Sequence, residues 1–305
     1  MNRAAPRPEL PAPASLRAWV LAVRPATLTV ALAPVLVGAA VASVVGPLRM
    51  GAIVAALLGA VFLQIGSNLA NDVFDHEKGA DTPDRKGPLR VTQAGLLTPA
   101  HMRAGMVAAF ALATLAGVYL TAVAGWTIVA VGLLSIVSAI VYTGGPWPLG
   151  YHGLGDLCVF VFFGVVAVCG TSFVATGVVP PLAVLASVPV GAIATAVLVV
   201  NNVRDRDTDV RAGKRTLAVR FGRGFGIAEY IVLLAIAYLV PLVLVATGMR
   251  TPWTLIPLVS LPLAFRLAVV VAKEADGPTL NRALVGTARL LLAFSALFAA
   301  GIAAR

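Results

Sequence analysis

The sequence predicts an all-α integral membrane protein, with nine transmembrane helices in a single bundle, the N-terminus in the cytoplasm and the C-terminus outside. Three observations predict this fold. Of the 305 residues, 59% are hydrophobic and 12% are charged, whereas about 25% are charged in soluble domains. Apolar runs long enough to cross a bilayer recur along the chain, and the lysines and arginines between them are distributed unequally. A soluble domain and a disordered chain are therefore excluded.

Each apolar run is about 20 residues long, the length of helix that crosses the ~30 Å hydrocarbon core. Prolines within several runs, such as Pro34, Pro189 and Pro241, predict kinks that neighbouring helices in a bundle can accommodate. In chain order the predicted spans are residues 26–46, 50–71, 103–124, 126–144, 156–177, 181–202, 226–247, 252–272 and 284–304.

The basic residues indicate the sidedness of the bundle. The N-terminal segment and alternate connections carry 18 Lys and Arg, against three on the opposite side, and this bias is typical of cytoplasmic loops. The net charge of +10 therefore reflects orientation, and no nucleic-acid partner is expected. Residues 1–20 are rich in Pro and Ala and lack a signal-peptide pattern, and this composition predicts a flexible cytosolic tail. The remaining residues, 21–305, are predicted to form one membrane domain.

Acidic residues concentrate in two stretches that begin within the ends of apolar helices. We call residues 68–103 the first charged loop and residues 201–225 the second charged loop. Both loops are predicted to open to the cytoplasm. Two matched faces arise because side chains spaced by about one helical turn lie on the same side of a helix. The residues of these faces are Asn68, Asp72 and Asp75 in the first loop, and Asn201, Asp205 and Asp209 in the second.

Carboxylates at a membrane boundary are costly unless they are paired, hydrated or bound to a cation. Mg²⁺ commonly binds through one or two carboxylates while substrate phosphates fill other positions. Basic side chains in the same loops could neutralise the remaining phosphate oxygens; they are Arg85, Lys86, Arg90, Arg204, Lys214 and Arg215. A diphosphate group could bind both the metal-bearing carboxylates and these basic side chains, and a lipid tail attached to it could lie within the apolar bundle. The GKRT run at 213–216 lacks the glycine spacing of a P-loop, so an ATPase is not expected.

The two acidic motifs resemble those of the UbiA superfamily of intramembrane prenyltransferases, over nearly the whole chain after residue 20. They are NDVFD, ending at Asp75, and DRDTD, ending at Asp209. Further runs are similar to the 1,4-dihydroxy-2-naphthoate polyprenyltransferase branch: RPATLTVALAP from Arg24, YTGGPWPLGYHGLGD from Tyr142 and NNVRDRDTDVRAGKRTLAVRFG from Asn201. Val73, Asp156 and the N-terminal segment depart from the pattern of that branch.

The resemblance implies a Mg²⁺-dependent polyprenyltransferase in the cell membrane, with its active site open to the cytoplasm. It would transfer a polyprenyl group from an all-trans polyprenyl diphosphate to 1,4-dihydroxy-2-naphthoate, with loss of CO₂ and diphosphate, giving demethylmenaquinol for menaquinone synthesis. The implied catalytic metal ligands are Asp72, Asp75, Asp205 and Asp209. The implied diphosphate ligands are Asn68, Arg90, Asn201, Arg204, Lys214 and Arg215, and the implied acceptor ligands are Arg24, Asn71, Tyr142 and Asp156.

Alternatives stay open at several of these positions. Tyr142 and Asp156 either orient or deprotonate the acceptor, or serve as an interfacial anchor and a helix N-terminal acid. Glu77, Asp84 and Asp207 are better explained as partners of loop cations. The acceptor could instead be 4-hydroxybenzoate, haem or a sugar phosphate. A secondary transporter is a further alternative, although transporter sites usually lie near the bilayer midplane.

Overall fold

The computed structural model describes residues 10–80 and 86–304. These residues form helices joined by short connections, and no strand occurs among them. Asp81, Asp84, Arg85 and the first nine residues of the predicted tail lie outside the described ranges. The helices, in chain order, are α1 (Leu16–Val23), α2 (Pro25–Val45), α3 (Met50–Glu77), α4 (Pro99–Ala124), α5 (Thr127–Val141), α6 (Gly155–Val159), α7 (Ala167–Thr176), α8 (Pro181–Arg211), α9 (Leu217–Phe221), α10 (Arg223–Ala246), α11 (Leu261–Lys273) and α12 (Gly277–Ala303).

Two of the predicted spans contain non-α segments. A π-helical segment, Phe160–Val166, joins α6 to α7, and a 3₁₀ segment, Pro252–Ser260, leads into α11. Within the described ranges, eight continuous helical segments are long and apolar enough to cross a membrane. The remaining predicted span corresponds to α5, which has only 15 residues. Its length of about 22 Å is shorter than the ~30 Å hydrocarbon core, so the count of nine and the sidedness stay predictions.

The N-terminal part of the described chain contains a packed helix where the sequence predicts a flexible tail. The Ser15 side chain accepts a hydrogen bond from the Ala18 amide at 3.3 Å and caps α1. Ala18 and Ala22 are buried in an apolar cluster with Leu69 of α3 and Met102 of α4. Small side chains allow this close packing, so residues 16–20 form part of a packed helix rather than a flexible segment.

α8 lies at the centre of the bundle. In its apolar part 78% of the residues are buried, against 50% or less in the other candidate spans. The π-helical segment approaches it backbone to backbone, because a Cβ added to Gly164 would lie only 2.7 Å from the Gly191 Cα. Only glycine permits this approach. The middle of α8 is thereby packed tightly against the π-helical segment.

Candidate active site

A cavity of about 460 Å³ opens between α2, α3, α4, α5, α7 and α8, a volume typical of small-molecule sites. One end is lined by polar side chains of α3 and α8, and the remainder by apolar side chains. Asp75 of the first charged loop and Asp205 and Asp209 of the second line the same polar end. The two acidic faces therefore share one cavity, as a common diphosphate site requires.

Ten of the predicted site residues line this cavity: Arg24, Asn68, Asn71, Asp75, Arg90, Tyr142, Asn201, Asp205, Asp209 and Lys214. Three of them, Asn68, Asn71 and Asp75, lie on one face of α3 because they are spaced by about one helical turn. The structure does not place Asp72, Asp156, Arg204 or Arg215 in the described lining.

Asp75 connects the two charged loops. Its carboxylate accepts hydrogen bonds from Arg90 Nη2 at 3.1 Å and from Tyr151 Oη at 2.8 Å. Lys214, from the second loop, places its Nζ 3.1 Å from Oδ1 of the same carboxylate. Asp75 is only 1% exposed, so the cations compensate for a charge that burial would otherwise make costly.

Asp72 lies behind the cavity wall. It is 1% exposed and accepts a hydrogen bond from the Thr92 amide at 3.2 Å. Arg24 Nη2 lies 3.5 Å from this carboxylate and Arg90 Nη1 lies 4.0 Å from it. In this arrangement Asp72 orients two cavity-lining arginines, and Asp75 is the carboxylate of α3 that lines the cavity.

Arg204 is turned away from the predicted diphosphate site. Its Nε and Nη2 donate to the two oxygens of Asp205 at 2.8 and 2.6 Å. Nη2 also donates to Asn201 Oδ1 at 2.6 Å, and Nη1 donates to Asn281 Oδ1 of α12 at 2.5 Å. With a side chain that is 0% exposed, Arg204 holds the Asp205 carboxylate and does not reach the cavity.

Arg215 and Asp156 also differ from their predicted positions. The Arg215 side chain is exposed, and its backbone amide donates to the Tyr151 carbonyl at 2.8 Å. Asp156 is buried behind Asn202, whose Nδ2 lies 3.5 Å from Asp156 Oδ1. Asn202 itself lines the cavity, so Asp156 contacts the cavity wall through that amide.

Exposed ion pairs account for two acids that the sequence assigns to loop cations. Glu77 accepts from Arg103 at 2.6 Å, and Asp207 accepts from Lys86 at 3.2 Å. Both pairs are partly exposed to solvent, and pairs of this kind contribute little stability. Among the described residues, the carboxylates that line the cavity are Asp75, Asp205 and Asp209.

Tyr151 is a site residue that spacing did not predict. Besides its bond to Asp75, its ring lies 5.0 Å from Lys78 Nζ and 4.8 Å from Lys214 Nζ, within the range of cation–π contacts. Burial lowers the pKa of Lys78; the nearby Asp75 charge raises this pKa, and the Lys214 charge lowers it further. Gln64 was also missed, although it precedes Asn68 by one helical turn and lines the cavity.

The donor set fits Mg²⁺ in the presence of a phosphate ligand. Carboxylate and amide oxygens of Asp75, Asp205, Asp209 and Asn201 line one end of the cavity, and Mg²⁺ prefers such hard oxygen ligands. No group of three His, Cys, Asp or Glu side chains within the described ranges is close enough to hold a metal alone. Substrate phosphates and waters would have to complete the coordination, as is usual for Mg²⁺.

The all-helical fold and this cavity define the class of protein. Residues 31–302 match the UbiA prenyltransferase family, and the chain belongs to that family. Solved UbiA homologues have the same fold: one from Aeropyrum pernix has a TM-score of 0.64 at 17% identity and covers 90% of this chain and 96% of its own. A homologue from Archaeoglobus fulgidus, bound to GPP and Mg²⁺, has a TM-score of 0.61 at 15% identity and covers 92% and 99%.

Curated relatives give the branch within the family. The 1,4-dihydroxy-2-naphthoate octaprenyltransferase of Mycobacterium tuberculosis is 40% identical over 290 residues, 95% of this chain and 98% of the relative. The Escherichia coli protein of the same name is 38% identical over 293 residues, 94% and 95% of the two chains. The resemblance inferred from the motifs is therefore confirmed.

Proposed function

We propose that the protein transfers a polyprenyl group from an all-trans polyprenyl diphosphate to 1,4-dihydroxy-2-naphthoate, releasing diphosphate and CO₂ and forming demethylmenaquinol for menaquinone synthesis. The observation that carries this proposal is the shared cavity, whose polar end holds carboxylates and cations of both charged loops and whose remainder is apolar. An amphiphile with a diphosphate head fits this division. The relatives named for this reaction, which align over more than nine-tenths of the chain, support the choice of acceptor.

The polar end would bind the diphosphate. Lys214 and Arg90 lie beside Asp75 at the cavity, where they would stabilise the negative charge that develops as the allylic C–O bond breaks. Asp75, Asp205 and Asp209 would hold Mg²⁺, which when bound supplies further neutralisation of the leaving diphosphate. Asp72 and Arg204 would act as positioning residues, because each contacts lining side chains and lies behind the wall.

The apolar part of the cavity would hold the prenyl chain and exclude water from the allylic cation. Tyr142 and Asn71 line the cavity near its polar end, and Thr143 Oγ1 donates to Asn71 Oδ1 at 2.9 Å. These side chains would orient the aromatic ring so that the carbon bearing the carboxylate meets the allylic carbon. A C–C bond forms there, and the ring–carboxylate bond breaks to release CO₂.

We also propose that the domain, residues 21–305, lies in the cell membrane with the polar end of the cavity facing the cytoplasm. This proposal depends on the positive-inside bias of the loops that contain the acidic faces. It places the diphosphate and the charged acceptor on the side where soluble metabolites are available.

The test uses purified protein in lipid nanodiscs with Mg²⁺, geranyl or octaprenyl diphosphate, and either 1,4-dihydroxy-2-naphthoate or 4-hydroxybenzoate. Mass spectrometry should find a naphthoate product that has gained the prenyl group and lost CO₂, and omission of Mg²⁺ should abolish it. Prenylated 4-hydroxybenzoate in the absence of a naphthoate product would overturn the acceptor assignment. Uptake of radiolabelled donor into sealed vesicles with no covalent product would overturn the enzyme assignment.

A further inference from the structure

Gln64 is a buried polar side chain on the cavity wall. It lines the cavity and is only 9% exposed. Its Nε2 donates to Asn68 Oδ1 at 3.2 Å, whereas its Oε1 has no hydrogen-bond partner among the described residues. Buried carbonyl groups in proteins are nearly always satisfied, so an unpartnered oxygen at a cavity points to a donor on a bound molecule.

The neighbouring contacts fix which atom of Gln64 is unpartnered. Asn68 Nδ2 donates to the Val23 carbonyl and to Thr27 Oγ1, both at 2.9 Å. Because a backbone carbonyl can only accept, the Asn68 amide nitrogen must face Val23 and its oxygen must face Gln64. Gln64 must then present Nε2 to Asn68. The atom of Gln64 that has no partner among the described residues is therefore a hydrogen-bond acceptor.

The chemistry of the substrates decides which of them could satisfy that acceptor. This step rests on the proposed function. A polyprenyl chain has no polar hydrogen, and the ionised diphosphate only accepts hydrogen bonds. The dihydroxynaphthoate has two hydroxyl groups, of which the 1-hydroxyl is adjacent to the carboxylate and can bond to it internally. The 4-hydroxyl is the free donor.

The position of Gln64 agrees with this assignment. Gln64, Asn68, Asn71 and Asp75 line the cavity from one helix, α3. At about 1.5 Å per residue, Gln64 lies about 6 Å beyond Asn68 and about 16 Å from Asp75 along the axis. It therefore lies one helical turn beyond Asn68, where the apolar part of the cavity begins on α3.

We propose that Gln64 is a specificity-determining residue whose Oε1 accepts a hydrogen bond from the 4-hydroxyl of the aromatic acceptor. This contact would favour a dihydroxy acceptor over an analogue that lacks the 4-hydroxyl. An analogue that leaves a buried polar group of the site unpaired binds more weakly.

The test measures equilibrium binding of 1,4-dihydroxy-2-naphthoate and 1-hydroxy-2-naphthoate to wild-type protein and to Gln64→Met, with Gln93→Met as the matched control. Gln93 is the chain's other glutamine and does not line the cavity. Wild type and Gln93→Met should bind the dihydroxy compound about tenfold more tightly, the value of one net hydrogen bond. Gln64→Met should bind both compounds equally, with unchanged affinity for geranyl diphosphate.

Each preference is the ratio of two affinities measured in one variant, so a partial loss of folded Gln64→Met protein does not change it. Gln64→Leu serves as a second variant. Retention of the tenfold preference in both variants would overturn the inference and indicate that Gln64 binds only water. A loss of donor affinity without a change in the preference would also overturn it. Because binding needs no turnover, failure of the proposed prenyl transfer would appear separately, as an absence of product from wild-type protein.

Discussion

Replacement of Arg204 by methionine tests whether this buried arginine holds the second acidic face in place. In the structure it forms a forked pair with both oxygens of Asp205 and also bonds the amide oxygens of Asn201 and Asn281. Methionine keeps an unbranched stem but is shorter and supplies no donor. Asp205, which is 4% exposed, would then carry a buried charge without its partner.

The expected cost follows from the burial of the pair. Breaking a buried ion pair by removing one partner costs about 3–5 kcal/mol of unfolding free energy. Arg204→Lys keeps the charge but cannot reproduce the planar fork, so an intermediate loss is expected. Arg206→Met is the matched control because Arg206 is 42% exposed and lies 3.8 Å from the exposed Asp207. Exposed pairs of this kind contribute about 0–1 kcal/mol.

Denaturant unfolding in detergent, followed by circular dichroism, measures these differences, and prenyl transfer is assayed in parallel. We expect Arg204→Met to lose both stability and activity, while Arg206→Met stays close to wild type. Equal stability of Arg204→Met and Arg206→Met would show that Arg204 does not support Asp205. Wild-type stability combined with a weakened affinity for diphosphate would instead restore the direct diphosphate role predicted from the sequence.

Three further perturbations have definite expected results. In thermal unfolding, Gly164→Ala should destabilise the protein by about 1–3 kcal/mol, because its Cβ would lie 2.7 Å from the Gly191 Cα. Gly170→Ala is the control: nothing lies within 4 Å of its Cβ, so it should be neutral or slightly stabilising. Equal effects of the two substitutions would contradict the close packing of Gly164 against α8. Gly132→Leu would fill open space in the apolar part of the cavity. It should lower kcat/KM for octaprenyl diphosphate on the order of tenfold and leave kcat/KM for geranyl diphosphate unchanged. An equal loss with both donors would show that this wall does not contact the distal part of the prenyl chain. Tyr151→Phe removes one donor to the Asp75 carboxylate and should lower kcat/KM roughly tenfold or more, as expected for a hydrogen bond to a charged group, while unchanged kinetics would exclude Tyr151 from the site.

Helical periodicity was sufficient to predict the two faces that meet in the cavity. Asn68 and Asp75 lie on one side of α3 because their spacing is two helical turns. Asn201, Asp205 and Asp209 are related in the same way on α8. Local spacing fixes such a face wherever the chain is helical, and the apolar runs already predicted both helices.

Contacts between distant segments decided the positions that were not predicted. Arg204 has a long flexible side chain, and its orientation depends on Asn281, which comes from α12. The Tyr151 ring is placed by a 3₁₀ turn, Leu149–His152, and by the amide of Arg215. Asp72 faces the Thr92 amide in a connection whose path the sequence does not specify. Helical periodicity contains no information about these partners.

Several loop cations that indicate topology in the sequence also have structural roles. Arg223 donates to the carbonyls of Val271 and Ala272 at the end of α11, at 3.0 and 3.2 Å. Lys78 donates to the Thr143 carbonyl beyond the end of α5 at 2.6 Å. Cations are favourable at the carbonyl ends of helices, so a charge near the membrane boundary need not contact a substrate.

The central claim is that acidic residues from both charged loops bind one Mg²⁺-diphosphate group. The most direct measurement is equilibrium binding of an unreactive thiol-linked geranyl diphosphate analogue, with and without Mg²⁺, to wild type, Asp75→Asn, Asp209→Asn and the exposed control Asp207→Asn. Mg²⁺ should strengthen binding to wild type and Asp207→Asn, and either substitution at the cavity should abolish that gain. A full Mg²⁺-dependent gain in Asp75→Asn or Asp209→Asn would contradict the claim.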